Sequence, residues 1–430
     1  MNKRVYRIIF ISLLLCLAFF ASAEARIYLD FTAPNFRKVP VAVPYFIDRS
    51  NSSWVDARGK KMAAILSNAL EFHGFISVLP AKKYNGEQEA DWKTMGADFT
   101  ALGQYRISHD TIALELKLLD VSENRMIFGR RYTGPLQKHD KMVLKFCDEV
   151  IRQLTGEPGI SLSKITFVSD KSGYKEIYVA DVLGAEIRQV TKHRNLAVSP
   201  SFSPDGRFLT YTSYHRGNPS LYITDLSQSK VTRALSRRKG LNLAPAWAPN
   251  GKMLAVTLSK DGNPDLYLMN DQGEIIRRLT FNSGINVSSS WSPDGTRLAF
   301  VSDRSGDPQI YVMNLKDNTC NRITYLGNDN TEPSWSPKGD WIAYAGLYEG
   351  SYHIFIIKPD GSSPTRLTKY YGNHESPSWS PDGQQIVFSR QLDEQQKLYV
   401  VLKNGMGLRP LFRTEEGNQS SPQWSNRLVF

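Results

Sequence analysis

Short apolar runs broken by turn residues fill the chain from about residue 160 onward, and one phrase recurs among them. It joins an aromatic residue to Ser-Pro or Ala-Pro and a glycine turn, as in Trp291-Ser292-Pro293-Asp294-Gly295, and its last copy stops at Trp424-Ser425. The six aromatic residues follow each other at intervals of 44 or 45 residues: Phe202, Trp247, Trp291, Trp335, Trp379 and Trp424. A fixed period of this length indicates a repeat in which each unit is one small sheet.

Each unit carries signals for four short strands. After the aromatic strand and its turn come two apolar runs, such as 298–301 and 310–313, and then an Arg-x-Thr segment such as 322–324. The first hairpin, near residues 165–179, lacks the aromatic strand. The last unit has the aromatic strand at Trp424 but lacks the strands that should follow it. We therefore predict that residues 159–430 form an all-β six-bladed β-propeller with four-stranded blades, whose ring the C-terminal strand closes beside the strand at 165.

Residues 24–158 follow a different pattern. Apolar residues recur at helical spacing over 62–70 and 142–154, and runs at 41–43, 75–79, 97–107, 112–119 and 126–128 predict strands. This predicts an α/β N-terminal domain that ends in a linker at 155–159. Its first stretch, 24–37, is predicted to be a mobile segment that docks elsewhere or is captured by a partner.

The first 23 residues predict export. Lys3, Arg4 and Arg7 precede an apolar stretch and then Ala21-Ser22-Ala23, the pattern of a signal peptide cleaved after Ala23 or, alternatively, Ala25. Cleavage after Ala23 removes three basic and no acidic residues, so the net charge falls from +11 to +8. That charge is moderate and does not indicate nucleic-acid binding. No later apolar run reaches the roughly 18 residues of a spanning helix, so the protein is predicted to be peripheral to the membrane.

Motifs that carry chemistry are scarce. The sequence contains no Gly-x-Ser-x-Gly elbow, His-Glu-x-x-His, Cys-x-x-Cys or Walker loop. His374-Glu375 is the one adjacent His and carboxylate pair in the repeats, either a catalytic or metal-binding fragment or a solvent-facing loop. Cys147 and Cys320 are expected to be free, buried thiols. We predict no catalytic residues, no metal site and no cofactor.

The candidate site is therefore a surface. In a propeller, the segments that lead into the inner strands meet at one end of the channel, here called the mouth, and each can vary independently. The predicted contacts are Asn242, Leu243, Asn286, Val287, Asn330, Thr331, Glu332, His374, Glu375, Gln419 and Ser420. Basic clusters at 214–216 and 237–239 would lie nearby and attract an acidic partner. The alternative is a solvated ring of loops.

The order of signal peptide, α/β domain and six blades resembles the TolB family of periplasmic propeller proteins. The resemblance rests on the phrases at 26–30, 39–46, 96–99 and 102–105 and on the ending in a Trp-Ser strand. It covers essentially the whole mature chain.

This resemblance implies a non-enzymatic, monomeric scaffold of the Tol-Pal system in the periplasm. The mouth would bind the outer-membrane lipoprotein Pal, and the N-terminal domain would communicate with the inner-membrane protein TolA. The TolA contacts would include the N-terminal residues Arg26, Ile27, Tyr28, Leu29 and Asp30. The assembly would maintain outer-membrane integrity and support constriction during cell division. The competing hypotheses are an exported propeller hydrolase that uses His374 and Glu375, and a glycan-binding propeller.

Overall fold

The computed structural model describes residues 37–50, 55–228, 232–281, 283–412 and 417–428. The N-terminal domain has one sheet in the order β3-β1-β4-β5-β6, with β2 paired to β4. Its strands are β1 (Val39–Ala42), β2 (Ile47–Asp48), β3 (Ile76–Val78), β4 (Phe99–Ser108), β5 (Thr111–Asp120) and β6 (Arg125–Pro135). Its helices are α1 (Ala57–Phe72) and α2 (His139–Thr155), with 3-10 turns at Ala81–Lys83 and Leu136–Lys138.

Both helices begin and end where local chemistry favours it. The Asp56 carboxylate caps α1 by accepting the Gly59 N–H at 2.7 Å, and Met62, Leu66 and Leu70 lie on its buried face. Helix α2 ends at Gly156, whose φ of 83° is the left-handed conformation that glycine adopts without strain. The two helices pack with the sheet into one apolar core.

The propeller follows as six four-stranded antiparallel sheets, which confirms the predicted fold. Blade 1 joins β30 (Gln419–Trp424) to β7 (Lys164–Ser169), β8 (Glu176–Asp181) and β9 (Ile187–Gln189). Blade 2 comprises β10 (Ala197–Phe202), β11 (Phe208–Ser213), β12 (Ser220–Asp225) and β13 (Thr232–Ser236). Blade 3 comprises β14 (Asn242–Trp247), β15 (Met253–Leu258), β16 (Asp265–Asn270) and β17 (Ile275–Arg278).

The remaining blades repeat the pattern, with the first strand always innermost. Blade 4 comprises β18 (Asn286–Trp291), β19 (Arg297–Ser302), β20 (Gln309–Asn314) and β21 (Cys320–Arg322). Blade 5 comprises β22 (Asn330–Trp335), β23 (Ile342–Tyr348), β24 (Ser351–Ile357) and β25 (Thr365–Arg366). Blade 6 comprises β26 (Asn373–Trp379), β27 (Gln385–Leu392), β28 (Gln395–Leu402) and β29 (Arg409–Pro410).

Two devices hold the ring together. The C-terminal strand β30 pairs antiparallel with β7, as predicted, with Trp424 opposite Ile165. The repeated tryptophans lie buried between blades, where the Trp291 indole donates to Ala246 O and the Trp379 indole to Ser334 O, each at 3.0 Å. The C-terminal strand completes blade 1, and the indoles of Trp291 and Trp379 tie blades 4 and 6 to the blades that precede them.

The N-terminal domain docks on the propeller face where the inner strands end. Phe72, the last residue of α1, packs its ring 6.0 Å from that of Trp424. Its carbonyl accepts hydrogen bonds from Arg409 Nη2 at 2.6 Å and Gln385 Nε2 at 3.2 Å. Burial of the Arg409 guanidinium lowers its pKa to about 10. Because the lead-in segments lie at the opposite ends of the inner strands, the described part of this domain leaves the mouth uncovered.

The two cysteines among the described residues are free, Cys147 buried in the N-terminal domain and Cys320 only half-buried on an outer strand. Within the described ranges, no helix has the length and apolar character needed to cross a membrane.

Candidate functional site

The inner strands surround a central channel of about 520 Å³. Each of them carries a β-bulge at the equivalent place, two residues after its start in blades 1 to 5 and three residues after it in blade 6. The bulge residues line the channel with φ between 47° and 55°: Ser199, Ala244, Ser288, Glu332, Ser376 and Ser421. Five of the six are small, and a bulge of this kind re-aims side chains near a functional surface.

Glu332 is the charged member of this ring. Its carboxylate accepts hydrogen bonds from the Ser376 N–H at 2.6 Å and the Ser376 hydroxyl at 2.9 Å, which links blades 5 and 6. Burial raises the pKa of Glu332, and burial followed by the charge of Glu332 raises the pKa of Glu375. No ion pair among the described residues involves either carboxylate. This side of the channel therefore holds two carboxyl groups that have no ion pair within the described part of the chain.

Five residues at the start of the inner strands correct one part of the predicted contact set. Their side chains are at least 98% buried in the blades: Asn242, Asn286, Asn330, His374 and Gln419. Asn286 Nδ2 donates to Asp265 Oδ1 at 3.1 Å and Gly284 O at 2.9 Å, and Asn330 Nδ2 donates to Gln309 Oε1 at 2.9 Å. They fasten the lead-in loops to the neighbouring blade, so a partner on the mouth would meet the loops and not these side chains.

The other predicted contacts lie nearer the surface. Leu243, Val287, Thr331, Glu375 and Ser420, each directly after the buried residue, are half-buried, as is Glu332. Glu332 lines the channel, and each of the other five directly precedes a bulge residue that lines it.

His374 does not have the surroundings of a catalytic base. Its ring stacks on His353 at 5.4 Å and packs against Phe388 at 5.6 Å, and Nδ1 lies 3.3 Å from Tyr352 O. Burial lowers its pKa to about 4. The imidazole is therefore neutral near pH 7 and enclosed by the blade. Nor does the described part of the chain contain a group of three or more His, Cys, Asp or Glu arranged to hold a metal ion.

Exposed apolar side chains on three successive lead-in loops are the feature that the sequence analysis missed. They precede blades 4, 5 and 6 and are here called the aromatic arc: Phe281, Ile285, Tyr325, Leu326, Tyr370 and Tyr371. Tyr371 is 75% exposed, Tyr325 73% and Phe281 61%. The available signal was an aromatic residue placed just after the Arg-x-Thr segment.

The loops hold these rings in place. Thr280 and Thr324 are buried, and their hydroxyls accept the N–H groups of Leu266 at 3.0 Å and Ile310 at 2.9 Å in the preceding blade. The guanidinium of Arg278 lies 4.9 Å from the Phe281 ring centre. The equivalent guanidinium, that of Arg322, lies 4.7 Å from the Tyr325 ring centre. Anchored rings of this kind lose little freedom when a partner covers them.

The loops before blades 2 and 3 are basic. Five exposed side chains on and beside them, here called the basic loops, form no ion pair within the described ranges: Lys192, Arg194, Arg216, Arg237 and Lys239. Beneath them His193 and His215 lie with ring centres 4.3 Å apart, and both contact the Ser213 hydroxyl. Burial, and then the charge of His215, lowers the pKa of His193.

The predicted N-terminal contacts Arg26, Ile27, Tyr28, Leu29 and Asp30 lie outside the described residues. The described chain begins at Arg37, whose Nη2 is 3.7 Å from the Asp98 carboxylate.

Comparison with known proteins gives a consistent family. A family model described as the TolB beta propeller domain matches residues 151–428, and one described as the TolB amino-terminal domain matches residues 27–127. The Tol-Pal system protein TolB of Desulfotalea psychrophila is 48% identical over 217 residues, which are 50% of each chain. The Tol-Pal system protein TolB of Desulfosudis oleivorans is 37% identical over 233 residues, 52% of this chain and 53% of that one.

These matches span about half the length of the two curated relatives. Among solved structures, TolB from Acinetobacter baumannii superposes with a TM-score of 0.79 at 25% identity, covering 92% of this chain and 98% of that one. The propeller family model alone accounts for well over half of the residues, and the chain belongs to the TolB family.

Proposed function

We propose that this protein is a non-enzymatic, monomeric scaffold of the Tol-Pal system in the periplasm. Its mouth binds a Pal-like outer-membrane lipoprotein, and its N-terminal segment and domain bind a TolA-like inner-membrane protein. By linking the two membranes it maintains outer-membrane integrity and supports envelope constriction during division.

One observation carries the proposal beyond family membership. The propeller presents a mouth of anchored loops on the face that the N-terminal domain leaves uncovered, while the opposite face is occupied through Phe72, Gln385 and Arg409. Separate faces allow a partner on the mouth without displacement of the N-terminal domain. His374 is unsuited to be the catalytic base of the hydrolase hypothesis, because it is enclosed by the blade and has a pKa of about 4.

Titration calorimetry with purified domains tests the proposal. The mature chain, residues 24–430, is expected to bind both the soluble domain of the Pal-like lipoprotein and that of the TolA-like protein. A variant lacking residues 24–37 is expected to keep the first interaction and to lose most of the second. Failure of the mature chain to bind the lipoprotein domain, together with retention on purified peptidoglycan, would favour the glycan-binding hypothesis instead.

A further inference from the structure

The mouth has two halves of different chemistry at equivalent positions of the repeat. The residue that follows the buried Thr or Ser of the lead-in loop is Lys192 before blade 2 and Arg237 before blade 3. It is Phe281 before blade 4 and Tyr325 before blade 5. Before blade 6 the equivalent residue is Lys369, and two exposed tyrosines, Tyr370 and Tyr371, follow it. The scaffold is the same in each blade, so the chemical difference lies in the side chains that the loops display.

The charges beneath the two halves also differ. On the aromatic side Arg278 forms an ion pair with Asp265 at 2.5 Å, whereas Arg322 and Arg390 donate hydrogen bonds to Thr324 O at 2.6 Å and Tyr371 O at 2.8 Å. On the other side the cations of the basic loops have no ion pair within the described part of the chain. One half of the mouth therefore offers anchored apolar rings, and the other offers uncompensated positive charge.

We propose that these two halves orient one folded protein partner, which places an apolar patch on the aromatic arc and an acidic edge on the basic loops. The inference rests on the proposed function and names the partner as the soluble domain of the Pal-like lipoprotein. Anchored aromatic residues supply most of the affinity in such an interface, whereas rim charges set the approach and the orientation.

Charge favours this occupant over a second copy of the chain. The mature protein carries a net charge of +8, so two copies facing each other through the basic loops would repel. An acidic partner gains from the same charges, and its apolar patch covers the exposed rings that would otherwise remain in water.

The test compares two double variants by calorimetry with the lipoprotein domain at low and high salt. Tyr325→Ser with Tyr371→Ser is expected to raise Kd by about 30-fold at both salt concentrations. Arg237→Glu with Lys239→Glu is expected to raise Kd by about 10-fold at low salt, with the difference shrinking as salt screens it. Ile276→Ser, an exposed apolar position on an outer strand, and Lys316→Glu, on a turn away from the mouth, are the matched controls. Circular dichroism and the melting temperature confirm that each variant is folded.

The outcomes separate the inference from the proposed function. If the unmodified chain binds the lipoprotein domain but the tyrosine variant binds equally well, the two-half mouth is wrong and the scaffold function stands. If the unmodified chain does not bind that domain, the proposed function itself fails. Retention on peptidoglycan or self-association in sedimentation that is lost in the tyrosine variant would assign the arc to another occupant and overturn the inference.

Discussion

Two phenylalanines, each with an arginine over its ring, show how differently the two faces of the propeller are built. Phe72 lies 5.3 Å from the guanidinium of Arg409, and Phe281 lies 4.9 Å from that of Arg278. Phe72 is 8% exposed because two domains close over it, whereas Phe281 is 61% exposed. The same pairing stabilises a closed interface on one face and holds a ring in solvent on the other.

The polar groups follow the same division. At the docked face the Phe72 carbonyl and the Gln385 amide oxygen both accept from Arg409, so the buried charge has partners. At the mouth, the Glu375 carboxyl group and the cations of the basic loops have no ion pair among the described residues, although Glu332 accepts two hydrogen bonds from Ser376. Satisfied groups are typical of a permanent contact, and unpaired groups on a preformed surface are typical of a site that a partner completes.

Truncating the two rings gives the largest expected contrast. Phe72→Ala should lower the free energy of unfolding by about 3 kcal/mol, because it leaves a cavity between Trp424 and the helix end. Phe281→Ala should change it by less than about 0.5 kcal/mol, since that ring is mostly in solvent. Urea unfolding followed by tryptophan fluorescence measures both. Equal losses for the two variants would contradict the distinction between a closed face and an open one.

The pH dependence of stability tests whether His374, directly before the half-buried Glu375 at the mouth, lies in the blade interior. The neutral native His374 has a pKa of about 4, against 6.5 for an ordinary histidine. The unfolded chain therefore takes up a proton first as pH falls, and the native state should lose about 3 kcal/mol between pH 6.5 and 4 from this residue. His374→Gln, which places there the residue found at position 419 in blade 1, should remove that part of the slope. The exposed His109→Gln is the control and should leave the slope intact.

Much of the fold was predictable because residues adjacent in the sequence determine the strands and turns of each repeat. The aromatic-Ser-Pro phrase and its glycine turn fix the strand order of every blade, and the two incomplete ends predicted the closing pair of β30 with β7. The helix from Ala57 to Phe72 followed from its apolar spacing over 62–70, and the structure adds the cap at Asp56.

The site was harder to predict because burial there depends on neighbouring blades. Asn286 is polar and precedes a strand, which suggested exposure, but Asp265, 21 residues earlier, receives its amide inside the propeller. Conversely Tyr325 was hidden among the many apolar residues of the strands. Its exposure depends on the Thr324 hydroxyl that anchors the loop to Ile310.

Removing the charge of Glu332 should raise the free energy of unfolding, and by less than Phe72→Ala lowers it. Burial raises its pKa, so ionisation of the carboxyl opposes folding once pH exceeds its ordinary value of 4.5. Glu332→Gln keeps one acceptor for Ser376 and should stabilise the protein near pH 7 by up to about 1 kcal/mol. Near pH 4, where the native carboxyl is already protonated, the gain should disappear. A variant that is destabilised at pH 7 would show that the hydrogen bonds from Ser376 outweigh desolvation.

The smallest change in the free energy of unfolding is expected at the linker, where the ion pairs of Glu157 are partly exposed to solvent. Glu157 pairs with Lys338 of blade 5 and, at 3.5 Å, with Arg427 near the C-terminus, and the hydrogen bond from Lys338 lowers its pKa. Its charge thus stabilises the fold above pH 4.5, and this contribution is lost as pH falls through the lowered pKa. Because both side chains are about half exposed, Lys338→Ala should lower the free energy of unfolding by less than about 1 kcal/mol, and by less still in high salt. Lys316→Ala, an unpaired surface lysine, serves as the control. A loss as large as that of Phe72→Ala would mean that the linker ion pairs, and not the buried ring, hold the two domains together.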